Sequence, residues 1–103
     1  MTIKEFEAFL DENLPAKQAF MDAALDYQQA KNKRRPAKKR WADEKIEKAT
    51  ERMWNDFAKG AYEKISPNIS KQALNPHKEW IQFIEKNEVL EELEQSIYEI
   101  EFE

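Results

Sequence analysis

A chain of 103 residues is long enough for one domain with one hydrophobic core and too short for two. Charged residues reach 37% and apolar residues 41%, and the net charge is −4; six Phe, three Tyr and three Trp set the chain apart from disordered sequences, which lack aromatics. One Gly and no Cys exclude glycine-rich phosphate loops, disulfide frameworks and thiolate metal sites.

Helical signals run along the whole sequence. Thr2 and Glu5 have capping-box spacing, and Ile3, Phe6, Phe9 and Leu10 fall on one face of the helix that follows. Leu14-Pro15 closes that helix, because Pro disfavours helix at the residue before it and suits the first turn of the next. The spacing then predicts a second helix from about Pro15 to Lys33, burying Phe20, Met21, Ala24 and Tyr27 or its neighbours. Pro36 restarts the chain for the longest helix, about Ala37 to Lys64, with Ile46, Ala49, Thr50, Met53, Phe57 and Ala61 in one stripe. ISPNIS, residues 65–70, interrupts it.

Asn75-Pro76 reads as an N-cap followed by a first-turn Pro, opening a fourth helical region that reaches about Tyr98 with a kink expected near Asn87. Trp80, Phe83, Ile84, Leu90, Leu93 and Ile97 point inward from it. YEIEF, residues 98–102, alternates apolar and acidic side chains with a period of two and reads as a frayed or extended tail. The fold expected is all-α: a single-domain bundle of about four helices over residues 1–103, with a long third helix and an acidic C-terminal tail.

Charge is strongly segregated. Residues 1–30 carry −4, residues 31–40 carry +7, residues 41–78 carry +1 and residues 79–103 carry −8. KNKRRPAKKR, residues 31–40, is the concentrated part. If the third helix starts where expected, Trp41, Lys45, Lys48, Arg52, Asn55 and Lys59 fall within about 80° of one another at 100° per residue, opposite the apolar stripe. Glu44, Glu47 and Glu51 take the other polar flank. An indole on that outward stripe needs a cover.

Three uses of this surface compete. Lys and Arg on a long helix can serve solubility alone, aided by pairs such as Glu44 with Lys48. They can dock an acidic surface, belonging to another protein, a second copy or the Glu-rich end of this chain. They can also neutralise phosphates of a nucleic acid while Trp41 stacks on an unpaired base, although an acidic net charge is unusual for such a module.

Catalysis is not expected. His77 is the only histidine and sits at a helix start; no E-x-x-H or H-E-x-x-H spacing exists, and one Gly forbids G-x-x-x-x-G-K-[ST], G-x-G-x-x-G and G-x-S-x-G. Trp54 and Trp80 read as core packing. No cofactor, metal or small-molecule substrate is implied. MTIKEFEAFL places charges where a secretory signal needs an apolar run, and no stretch approaches the ~18 apolar residues of a membrane span, so a cytoplasmic protein is expected.

These readings converge on a small non-enzymatic helical binding protein, of regulator or inhibitor type, acting through protein–protein interaction or homo-oligomerisation; nucleic-acid binding by the same surface is the alternative. The residues assigned to partner binding are Lys33, Arg34, Arg35, Lys38, Lys39, Arg40, Trp41, Lys45, Lys48 and Arg52. Cations would steer the encounter, and Trp41 would supply an apolar anchor.

Overall fold

Thr2 opens the first helix through the capping box that its spacing with Glu5 predicts. The Glu5 N–H donates to Thr2 Oγ1 at 3.2 Å, and the Thr2 N–H donates to Glu5 Oε1 at 2.9 Å. In consequence the Glu5 carboxyl is held below its ordinary value of 4.5, first by the backbone Thr2 bond and then by the Thr2 hydroxyl. A computed structural model describes residues 1–102. Its helices are α1 (Ile3–Asn13), α2 (Ala16–Lys33), α3 (Asp43–Ile65), α4 (Pro76–Lys86) and α5 (Val89–Glu99), with single 3₁₀ turns at Ala37–Lys39 and Ser66–Asn68. Among the described residues there is no strand, and no helix is long and apolar enough to cross a membrane.

The long third helix begins at Asp43, six residues later than the Ala37 start predicted from Pro36. Pro36 does restart the chain, but only into the short 3₁₀ turn. Side-chain competition for the backbone explains the delay. Arg40 folds back so that Nε donates to the Arg35 carbonyl at 3.2 Å and Nη2 to the Lys33 carbonyl at 3.4 Å. Asn32 grips Trp41 twice, accepting from its N–H at 2.8 Å and donating to its carbonyl at 3.1 Å. These bonds hold Arg40 and Ala42 extended, with ψ of 141° and 160°. Asp43 and Glu44 then lie in the first turn, where carboxylates suit the positive end of a helix.

The expected fourth helix is two helices, because the kink near Asn87 is a full break. Asn87 caps α4, its N–H and side-chain amide both donating to the Phe83 carbonyl at 3.1 and 2.9 Å. Glu88 is left-handed at φ 53°, the only positive φ outside glycine among the described residues. That turn swings α5 back against α4 and puts Val89 into the core.

α2 and α3 pack as an antiparallel hairpin. α1 lies against α3, α5 lies against α2, and α4 pairs with α5. One cluster joins Phe6 and Leu10 of α1, Phe20 of α2, Trp54 of α3, Trp80 and Ile84 of α4, and Ile97 of α5. Phe20 is its hub, with ring centroids 5.2 Å from Trp54 and from Phe57. Phe6 lies 5.9 Å from Tyr62 and 5.8 Å from Trp80. Fully burying one such ring contributes about 1.5–3 kcal/mol.

The stripe on α3 is phased slightly differently from expectation: Ile46, Thr50 and Ala61 are buried as predicted, but Trp54, Ala58 and Ile65 join them while Met53 and Phe57 are half-buried. On α2, Gln28 is buried and Tyr27 half-buried; the Gln28 amide lies 3.2 Å from Met53 Sδ.

The frayed or extended tail predicted over residues 98–102 is shorter than expected and packs on the core. Tyr98 and Glu99 finish α5, and only Ile100–Phe102 leave the helix. Ile100 and Phe102 are half-buried, Phe102 with its ring 5.5 Å from Phe20 and 5.6 Å from Tyr27. Glu103 lies outside the described residues.

Extents of 55 × 23 × 21 Å and a radius of gyration of 16.3 Å make the molecule a rod, where a compact chain of this length reaches about 13 Å. The extra length is the α2–α3 hairpin. Its far half carries Ile46, buried apart from the main cluster, and ends in the basic segment.

Candidate functional site

The tip of the hairpin organises its cations in three ways. Arg40 satisfies carbonyls at the end of α2, where orphan acceptors and the negative end of the helix favour a guanidinium; Lys31 and Lys33 stand in that last turn as well. Arg35 and Lys45 converge on the indole of Trp41: the Arg35 guanidinium carbon is 3.8 Å from the ring centroid and Lys45 Nζ is 4.6 Å from it. Lys33, Arg34, Lys38 and Lys39 remain exposed around the turn.

Trp41 precedes α3 rather than belonging to it, so it reaches the basic stripe from the loop. Its backbone is set by Asn32, which also accepts from Arg35 Nη1 at 3.0 Å. One asparagine therefore fixes both the tryptophan and one of the cations over it. The indole is half-buried, covered in part by these two side chains. Each cation–π contact contributes about 0.5–1 kcal/mol at an exposed position.

Beside Trp41, an open cleft of about 480 Å³ runs along the outer face of α3. Lys45, Lys48 and Arg52 line it together with Glu44 and the small residues Ala42 and Ala49. Helical spacing accounts for the grouping, since positions 45, 48 and 52 recur every three or four residues on one side. Lys48 pairs with Glu44 at 3.5 Å, but both side chains are at least 70% exposed, so the pair contributes at most a few tenths of a kcal/mol. Two alanines leave the floor of the cleft free of bulky side chains.

Of the ten residues assigned from the sequence, Trp41, Lys45, Lys48 and Arg52 line this cleft, and Arg35 joins them through the ring. Arg40 is drawn into structural bonds. Lys38 and Lys39 sit on the outer turn, while Lys33 and Arg34 end α2, Arg34 beside Tyr27 and Phe102. Sequence reasoning missed Asn32, whose signal was an Asn in the last turn of a predicted helix, and the alanines of the floor.

His77 is at the opposite end of the rod, with Nδ1 3.8 Å from Glu5 Oε2 and both side chains exposed. Among the described residues, no three or more His, Asp or Glu side chains group as metal ligands do. No family model matches the chain, and neither the curated proteins nor the solved structures give a match.

Proposed function

We propose that this chain is a non-enzymatic binding protein that docks an acidic surface of a partner protein on the basic side of the α2–α3 hairpin. One observation carries the reading. Arg35 and Lys45 are held over a single half-buried indole at the edge of a cleft that also presents Lys48 and Arg52. Two cations over one ring and two more along the adjoining cleft, with Glu44 as the one carboxylate in its lining, repel one another. An arriving carboxylate surface relieves that repulsion, and Trp41 and the alanine floor give it an apolar seat.

The same contacts weigh against nucleic acid as the partner. A base stacking on Trp41 has to displace Arg35 or Lys45 from the ring.

Poly-L-glutamate and single-stranded DNA serve as model partners in low-salt titrations. Poly-L-glutamate should bind at least ten-fold tighter than the DNA, and the triple variant K45E/K48E/R52E should lose that binding while keeping its helicity. Equal affinity of the triple variant for poly-L-glutamate would remove this face from the account. Tighter DNA binding, with a log–log salt slope of about −0.7 per phosphate contacted, would favour the nucleic-acid reading.

A further inference from the structure

Residues 100–102 lie beside a second basic patch, which shares no lining residue with the cleft just described. Tyr27, Lys31 and Arg34 recur at helical spacing along α2, and with Ala30 and Phe102 they line a notch of about 300 Å³. The Phe102 ring forms one wall of it, edge-on to Phe20 at 89° and tilted against Tyr27 at 43°. Lys31 Nζ stands 6.0 Å from the Tyr27 ring centroid, and Lys31 and Arg34 are exposed at the rim. The last helical-type backbone bond is Ile100 N–H to the Ile97 carbonyl at 3.3 Å. Beyond it the extended segment is anchored by the half-buried side chains of Ile100 and Phe102, with Glu101 exposed between them.

We propose that the seat of Phe102 on Phe20 and Tyr27, with the open notch beside it, is a docking site for an extended acidic peptide segment of a partner protein, one that presents an aromatic side chain between carboxylates, and that Phe102 fills that seat as an intramolecular stand-in. The chemistry of the occupant is read from what already sits there: an aromatic ring seated on Phe20 and Tyr27, preceded in the sequence by the exposed Glu101, beside a rim that carries Lys31 and Arg34. A short extended segment held by two side chains belongs to the least stable part of a fold and exchanges readily for a better ligand. Stacking gives affinity, and Lys31 and Arg34 select for acidic flanks. The site does not depend on the α3 cleft, because no residue lines both.

A fluorescein-labelled peptide, IYEIEFE, reproduces residues 97–103 and is the probe. In anisotropy titrations at low salt, full-length Phe102→Ala should bind it at least ten-fold tighter than the wild-type chain, whose own Phe102 competes. The peptide with its Phe replaced by Ala should not bind. Adding K31E/R34E to Phe102→Ala should weaken binding at least ten-fold, whereas adding K45E/K48E/R52E should leave it unchanged, which separates this site from the α3 face. A folded Phe102→Ala chain that binds no tighter than wild type overturns the proposal. If that variant does not fold, the wild-type chain still decides: excess peptide should shift the amide signals of Tyr27, Lys31 and Arg34, and unshifted signals at millimolar peptide overturn it. Wild-type dimers that disappear in Phe102→Ala would also overturn it, in favour of segment exchange between copies.

Discussion

The two ends of the rod share the helices α2 and α3 but are held by different physics. At the packed end, α2 and α3 are held by interlocking rings, with Phe20 touching Trp54, Phe57 and Phe102, and Phe6 bridging to Tyr62 and Trp80. At the tip the ring of Trp41 has cations for neighbours, and the chain is turned by Asn32 and Arg40 bonding to backbone. Burial of apolar surface stabilises the first end. The second is fixed by a few directional bonds that leave its charge exposed. What the contrast teaches is that rigidity at the tip is local and polar, where that of the packed end is shared and apolar.

Mutations that act on one end alone sharpen this division. Phe20→Ala removes the hub of the packed end and should cost about 3–5 kcal/mol in urea unfolding, enough to threaten the whole fold. Asn32→Ala, at the tip, removes both bonds to Trp41 and one to Arg35. It should cost about 1–2 kcal/mol and raise amide hydrogen exchange in residues 32–42 while leaving the packed end protected. Similar losses from the two substitutions would mean that the ends are not independent.

Gly60→Ala acts in the opposite direction. A Cβ at Gly60 meets nothing within 4 Å, so the helix gains propensity without a clash, and stability should rise by up to about 1 kcal/mol. The smallest effect is the capping box at the packed end. Glu5 is held below its ordinary 4.5 in the fold, so its contribution is complete above that value and fades as pH falls through the lower folded value. A Glu5→Gln variant should therefore show a flatter loss of stability below pH 4.5 than the wild-type chain. Parallel acid unfolding curves would remove the box from the account.

Much of the packed end was legible in the sequence because its signals are local. Thr2 with Glu5, Leu14-Pro15 and Asn75-Pro76 each announce a boundary through nearest-neighbour chemistry, and the structure places helix ends at all three. The tip was harder to read. Pro36 is a valid helix-start signal, but whether the helix continues depends on Asn32 and Arg40 reaching across the turn, and such bonds have no periodicity. The break at Asn87 was visible as a kink, whereas the left-handed Glu88 that completes it was not, since Glu carries no preference for that conformation. Alternation in YEIEF suggested a tail; Phe102 instead packs on Phe20 and Tyr27, a contact across some 80 residues of sequence that pattern alone does not reveal. At the candidate site, the grouping of Lys45, Lys48 and Arg52 followed from helical spacing, while the position of Trp41 beside them came from the loop.

The account depends most on a positive potential around an accessible Trp41, and collisional quenching reads it directly. Trp54 and Trp80 are 4% and 3% exposed, so quenchable fluorescence comes from Trp41. Iodide should quench the wild-type chain at least twice as strongly as caesium at low salt. The preference should reverse in K45E/K48E/R52E and shrink for both chains as salt screens the charges. Equal quenching by the two ions in the wild-type chain, or a preference unaffected by the triple reversal, would contradict the account.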